Sequence, residues 1–581
     1  MRSRRPRRGG ALAALAATAL LGAAAATAAA AGPAKPPDPP AGAGQVSFGR
    51  TEAGDTSLIV TFADRPDRAQ ARTRLAGLGD EVRPVVPEAG VWALHPTDPA
   101  TARDRALRRA QVTSAEWSLE RTTDERPPPP AQPGPAPVFT DPYFTQTAQW
   151  GLLAGPQWGP DLTTLGPRPR IAILDSGIDP THEEWSGPNS PLVAPRSTLR
   201  GDNNASDHGE SGHGTHVAGI AAAPANGVGI VGVAPASPAA QVIPVQIADT
   251  QGASTDETMM KGIRHAVTNG AKVINISAGG PGFSRAFQDT VLWATRKGAL
   301  IVASVGNQGQ DVNALNFPAG YSRVLGVGAQ CDGNVTFDCP TPFAAATFSN
   351  HNRTVDVIAP GVDVLSSVPV RVTDRAVAPG YALKDGTSMA APYITGVAAL
   401  VMAANGGRLS PYQVARQIEN TAIDLGRGGR DDVNGYGLVN PRGAVTLRAP
   451  ADDPGEVNDD IKWVKGRTTP LDARGRATIA ATADRYEDPD DVYPVRLQRG
   501  DRVALTLTHR TGVMDLYLWE PGTPTVGTDN GNLERHLLKF RSGARKKVVI
   551  NYTAERSGVH YVDVFARRGG DGYTLRIVRR R

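Results

Sequence analysis

Four short stretches of the chain carry residues whose types and settings suit chemistry: "ILDSGID" with Asp175, "SGHGTHVAG" with His213 and His216, "ASVGNQG" with Asn307, and "DGTSMAAP" with Ser388. Serine is a weak nucleophile at neutral pH and needs a base, usually an imidazole that a third group orients. A carboxylate at a strand end can hold that imidazole in one tautomer. A side-chain amide can donate to a developing oxyanion, and a helix N-terminus favours the same negative charge. Each stretch alone also has a plainer reading. Thr387 and Ser388 behind a glycine would make an N-cap. Asp-Ser-Gly and Asn-Gln-Gly are ordinary turns. His213 and His216, three apart on one helix face, would suit a metal pair. Zinc proteases, however, carry H-E-x-x-H, and here Gly214 and Thr215 intervene. The conjunction decides. Asp, His, Asn and Ser follow one another, each in a Gly-flanked turn, and Asp before His before Ser is one of three chain orders in which a serine triad recurs.

These turns need rigid elements behind them. Residues 139–447 alternate helices with short apolar strands: "RIAILDSG", "QVIPVQIA", "AKVINISAGG", "ALIVASVGN", "RVLGVGA" and "VDVIAPG". Strands apolar on both faces and interleaved with helices predict a mainly parallel sheet covered on each side, an α/β domain. Working residues in such sheets lie beyond the carboxyl ends of strands, which is where Asp175, Ser277 and Asn307 fall. Before it, Ser57–Glu120 reads β-α-β-β-α-β, an α+β unit within residues 45–125, with Asp98 placed to cap its second helix. A Pro-rich linker, residues 126–138, separates the two. After it, residues 452–581 alternate polar and apolar with Gly-rich turns and no helical stretch, which predicts an all-β sandwich.

At 581 residues, three or more domains are expected. A net charge of +5 without a basic stripe of interleaved aromatics gives no support for nucleic-acid binding. The N-terminus has a basic opening and then an alanine-rich apolar run ending in small residues. That is a secretory signal peptide over residues 1–31, implying an extracellular protein with no membrane attachment after cleavage. Cys331 and Cys339, the two cysteines of the chain, flank an Asp-Gly turn and are expected to form one local disulfide in an oxidising compartment.

Residues 139–447 resemble the subtilisin-like serine proteases through "DSGID", "HGTHVAG", "GNQG" and "GTSMAAP", with "NISAGG", "GVGIVGVAP", "ATFSN" and "GYGLVN" in the places of the family's counterparts. The resemblance implies a peptide hydrolase that needs no cofactor for catalysis. Ser388 is then the nucleophile, His213 the base, Asp175 its orienting partner and Asn307 half of the oxyanion hole, leaving His216 structural. It also implies that Ser277, Ala278 and Gly279 pair with substrate backbone. Ala303–Gly306 would form one wall of the primary pocket and the uncharged Asn316 its base, which argues against a strict Arg or Lys preference. A structural calcium site is implied at Asp141, Glu184 and the loop of Pro224, Asn226, Val228 and Ile230, although the family commonly has Asp where Glu184 stands. The first unit resembles the family's pro-domain, an intramolecular chaperone and inhibitor. Residues 484–579 resemble the bacterial pre-peptidase C-terminal domain. The expected partners are protein or peptide substrates and the chain's own pro-domain, in a monomer. A non-catalytic exported binding protein is the rival, but it has no need of all four catalytic residues.

Overall fold

Covering a sheet on both faces requires alternate residues of each strand to enter different cores, and the middle of the chain does this. The computed structural model describes residues 57–118, 120–123, 143, 148–153, 165–426, 428–453, 455–486, 488–527 and 535–580. The expected signal peptide (1–31), the linker (126–138) and Asp141 lie outside them.

The first unit comprises β1 (Leu58–Phe62), α1 (Arg68–Leu75), β2 (Gly79–Val86), β3 (Val91–Pro96), α2 (Pro99–Leu107) and β4 (Val112–Trp117), in an antiparallel sheet of order β2-β3-β1-β4. This is the expected split-βαβ arrangement. A capping box opens α1, with Asp67 accepting from the Gln70 N–H at 2.8 Å and Gln70 reaching back to the Asp67 N–H at 3.1 Å. Asp98 does not cap α2 as expected; its carboxylate accepts the Thr101 hydroxyl at 2.6 Å instead. The chain then extends as β5 (Glu120–Thr123).

The catalytic-type domain contains α3 (Trp150–Leu153), β6 (Arg170–Asp175), β7 (Arg196–Ser197), α4 (His213–Ala222), β8 (Val242–Gln246), β9 (Ala253–Thr255), α5 (Asp256–Thr268), β10 (Ala271–Ile276), β11 (Ala278–Gly279) and α6 (Arg285–Arg296). It continues with β12 (Leu300–Ser304), β13 (Val324–Gln330), β14 (Val357–Pro360), β15 (Val364–Ser367), β16 (Ala376–Ala378), β17 (Tyr381–Lys384), α7 (Thr387–Ala404), α8 (Pro411–Thr421) and α9 (Pro441–Thr446). Seven strands pair in parallel in the order β14-β13-β12-β10-β6-β8-β7. Ile171 and Ile173 of β6 join the core of α4 and α7, whereas Ala172 and Leu174 join that of α5 and α6. The sheet is thus sandwiched by helices. The 18-residue helix α7 is long and apolar enough to cross a membrane, yet nearly all of it is buried inside this domain. Cys331 and Cys339 form a disulfide, both fully buried.

The last unit has a short helix α10 (Ile461–Val464) and strands β18 (Arg476–Asp484), β19 (Asp490–Leu497), β20 (Arg502–His509), β21 (Val513–Trp519), β22 (Leu537–Arg541), β23 (Lys547–Thr553), β24 (Gly558–Arg568) and β25 (Gly570–Arg580). They form two antiparallel sheets, β18-β25-β20-β23 and β19-β24-β21-β22, around one apolar core. Sandwich strands begin only at Arg476. The residues before it lie against the catalytic-type domain, with Val457 and Trp463 in the core shared with α5 and α6. Arg323, just before β13, is buried and pairs with Glu456 at 2.8 Å, with Asp459 at 3.4 Å and with Asp488. A buried guanidinium among carboxylates is costly to strip of its partners, so this contact pins the two units together.

Candidate active site

Parallel registry brings the chemistry to one edge. Leu174 of β6 pairs with Ile276 of β10, and Ile276 with Ala303 of β12. Asp175 and Ser277 therefore stand side by side at adjacent carboxyl ends, and Asn307 follows β12 by three residues. Helices α4 and α7 deliver the other two groups.

His213 is the first residue of α4, after Gly212 in the left-handed conformation at φ 67°. The first N–H groups of a helix have no intrahelical partner. Here Ser176 Oγ accepts from the Gly214 N–H at 2.9 Å and Asp207 from the Thr215 N–H at 2.9 Å. Asp207 also accepts the hydroxyls of Ser176 (2.9 Å) and Thr215 (2.6 Å). Burial raises the Asp207 carboxyl above its ordinary value, while these donors hold it down. The helix start, and with it His213, is fixed against the strand that carries Asp175. His213 Nδ1 lies 2.7 Å from Asp175 Oδ1, with both side chains buried. A proton on Nδ1 leaves Nε2 as the acceptor. His216 turns elsewhere: its Nε2 is 3.1 Å from the Ala382 carbonyl in β17, and burial holds it well below the ordinary histidine range. The two histidines have separate partners.

Ser388 is the second residue of α7. Its hydroxyl donates to the Ser277 carbonyl at 3.2 Å, and the Ser277 hydroxyl donates to the Ser388 carbonyl at 2.9 Å. The second bond has a cause in the sequence. A helical carbonyl at 388 expects the N–H of residue 392, which is Pro392 and has none. Ser277 supplies the missing donor. Asn275 and Thr395 extend the chain, Asn275 Nδ2 donating to Ser277 Oγ and Thr395 Oγ1 to Asn275 Oδ1, each at 2.9 Å. Asn307 Oδ1 accepts from both the N–H and the hydroxyl of Thr387 at 2.9 Å. That commits the amide oxygen to the first turn of α7 and leaves Nδ2 as the end for donation. Asp175 thus meets His213, Ser277 meets Ser388, and Asn307 meets Thr387, the residue before Ser388.

The edge β11 is tight. A Cβ on Gly279 would come within 2.5 Å of Asn316 Nδ2, which itself donates to the Ser304 carbonyl at 3.1 Å. Asn316 thereby bonds the end of β12 while lying close against β11. Along that edge lies β5, antiparallel, with Ala278 opposite Thr123 and Gly279 opposite Thr122; β9 flanks it on the other side. The roles of Ser277 Oγ, Asn275, Thr395 and Asp207 were not singled out from sequence. The one available signal was Pro392 four residues after Ser388.

Comparison with known proteins agrees. Subtilisin Savinase of Lederbergia lenta is 34% identical over 276 residues, covering 48% of this chain and 90% of its own. The chain belongs to the subtilase family. Residues 166–437 match that family. Thermitase of Thermoactinomyces vulgaris is 35% identical over 308 residues, 52% of this chain and 96% of the relative. Fervidolysin from Fervidobacterium pennivorans, described as a keratinolytic enzyme related to subtilisin, shares the fold with a TM-score of 0.57 at 21% identity, over 89% of this chain and 92% of that one. This subtilase is a serine endopeptidase acting on peptide substrates.

Proposed function

We propose that the chain is a secreted zymogen that cuts itself free of its N-terminal unit and then hydrolyses protein chains without a strict need for basic side chains. Ser388 attacks the scissile carbonyl and His213 takes its proton at Nε2, later returning it to the leaving amine. Asp175 holds Nδ1, and Asn307 donates to the oxyanion together with the Ser388 N–H. The observation that carries this reading is the buried 2.7 Å contact between His213 and Asp175 at the strand ends where α7 presents Ser388. Labelling with a serine-directed organophosphate tests it. Modification is expected at Ser388 alone, and a processed protein that takes no label would overturn the assignment.

Ser277–Gly279 serve as the edge that pairs with substrate backbone, Ala303–Gly306 as a wall of the primary pocket and Asn316 as its uncharged base. The pairing of β5 with β11 supports the zymogen reading, since an added strand is how a sheet edge binds extended peptide. A tail already tethered there competes at high effective concentration until it is released. Residues 45–125 are in this reading both chaperone and inhibitor. Secretion is supported by the signal-like N-terminus and by the disulfide, which suits an oxidising compartment. The protease acts as a monomer, with a C-terminal sandwich of the pre-peptidase type.

Inhibition should depend on pH. Glu116 of the N-terminal unit accepts the Arg285 N–H at the start of α6 at 3.0 Å, and burial pushes its carboxyl from an ordinary 4.5 up to about 7. The docked state then holds a proton that the released state gives up. Docking is strongest below about 4.5, weakens up to ten-fold per unit between there and about 7, and is flat above. Gel filtration of the self-cleaved complex across this window checks it; Glu116→Gln is expected to abolish the slope, and an unchanged slope in that variant would remove Glu116 from the account.

Calcium is the remaining part of the proposal. Glu184 Oε1 accepts from the Ile230 N–H at 2.7 Å and Tyr143 N–H donates to the Gly229 carbonyl at 2.9 Å. The segment following Asp141, Glu184 and the loop of Pro224, Asn226, Val228 and Ile230 therefore meet, and their donors are oxygens, as hard cations prefer. Calcium at a hundred times its Kd should stabilise the folded protein by about 2.7 kcal/mol. Glu184→Gln should respond less. Melting curves indifferent to calcium and to chelator would end this reading.

A further inference from the structure

The stretch "NDDIKWVKGR" falls among the residues expected from sequence to form the all-β sandwich, ahead of its first strand at Arg476. It is instead built into a three-way junction. Asp460 caps α10 through the Ile461 N–H at 2.7 Å. The same carboxylate accepts Arg285 of α6 at 2.8 Å and, from the sandwich unit, the Thr525 hydroxyl at 2.8 Å and the Val526 N–H at 2.9 Å. So anchored, α10 presents Lys462 and Trp463 to two other units at once. The Lys462 ammonium is buried, 2.6 Å from Asp289 of α6 and 3.4 Å from the Ala89 carbonyl of the N-terminal unit.

Arg65 closes the contact from the N-terminal side. Its guanidinium stacks 4.9 Å above the Trp463 ring and donates to the Lys462 carbonyl at 3.3 Å. Trp463 is 1% exposed and shares its apolar cluster with Val85 and Val86 of β2. A cavity of about 340 Å³ lies where the three units meet, lined by Glu116, Arg285, Lys462 and Thr525 among others.

We propose that α10 is part of the receptor for the N-terminal unit, so that the C-terminal region helps to retain the inhibitor after self-cleavage. The proposal rests on the inhibitor reading above. Departure of the N-terminal unit takes the Arg65 guanidinium from Trp463, leaving that of Arg296 of α6 at 6.0 Å from the ring, and removes a carbonyl from a buried ammonium. The coupling is reciprocal: the docked inhibitor also holds α10 in place. An enzyme that loses its C-terminal region would therefore shed its inhibitor sooner.

The test uses the full chain, allowed to process itself and then blocked with the organophosphate, with release of the N-terminal piece followed by gel filtration. Arg65→Ala is expected to speed release roughly five-fold, the size of an exposed cation–π contact. Trp463→Ala should speed it more, and the double variant little beyond Trp463→Ala, because the two residues act through one contact. Glu88→Ala serves as a control, since Glu88 pairs only with Arg264 of α5, through two bonds of 2.9 Å among the described contacts. Faster release in the control but unchanged release in Arg65→Ala would overturn the composite receptor and leave the inhibitor reading standing. A parent enzyme that retains no cleaved N-terminal piece would overturn both. Should Trp463→Ala fail to fold, Arg65→Ala decides alone.

Discussion

Ser388→Ala is expected to give a folded protein with no measurable peptidase activity and an N-terminal unit that is never cut off. The rate loss should be on the order of a million-fold, the magnitude known for the nucleophile of subtilisin, a relative of this chain. Folding should survive. Ser388 sits in the first turn of a helix whose core is already alanine-rich, and Ala is the best helix former. Among its described contacts the variant loses the hydrogen bond from Ser388 Oγ to the Ser277 carbonyl, at about 1 kcal/mol. The reciprocal bond, from Ser277 Oγ to the residue 388 carbonyl, involves only backbone at 388 and stays. A melting temperature near that of the parent, with an intact precursor by mass spectrometry, is the expected pair of results. Normal maturation in a host stripped of other proteases would sink the assignment.

What the sequence made legible was local, and what it hid was non-local. Apolar strands without alternation announced a sheet covered on both faces, and Ile171 and Ala172 do enter opposite cores. Asp175, His213, Asn307 and Ser388 were legible because each sits in a Gly-flanked turn at an element boundary. Such turns are readable one at a time. The contacts that orient these side chains are not. Asp207 fixes the start of α4 from a loop, and nothing in its own neighbours betrays that. Ser277 reads as a substrate edge, yet its hydroxyl mends the helix bond that Pro392 removes 115 positions later.

Periodicity reports which face of a segment is buried, not which distant segment buries it. For that reason the sequence assigns the stretch after residue 452 to the sandwich, although the sandwich strands begin only at Arg476. Its charges are polar by composition, but Lys462 finds Asp289, and Asp460 finds Arg285. A buried charge is tolerable once paired. Composition alone records the charge and misses the partner.

The second large effect separates two histidines that look equivalent in sequence. His213→Ala is expected to cost about as much activity as Ser388→Ala, and the double variant to add little, because residues acting as a unit fail together. His213 alone reaches Asp175, at 2.7 Å. His216→Ala is expected to keep the chemistry and lose stability. Its ring is fully buried, and its Nε2 lies 3.1 Å from the Ala382 carbonyl. Removing it leaves that carbonyl without its ring partner, at about 1–3 kcal/mol, and adds the cost of the cavity. The pH dependence follows the same logic. Burial holds His216 well below its ordinary 6.5, so the unfolded chain binds the proton first, and stability falls as pH drops through about 6.5. The His216→Ala variant should lack that contribution to the slope. Activity against a peptide substrate and melting temperature across pH 5 to 8 (roughly the window in which an unperturbed histidine titrates) read the two effects separately. A His216 variant that melts like the parent but is catalytically dead would mean that the wrong imidazole had been taken as the base.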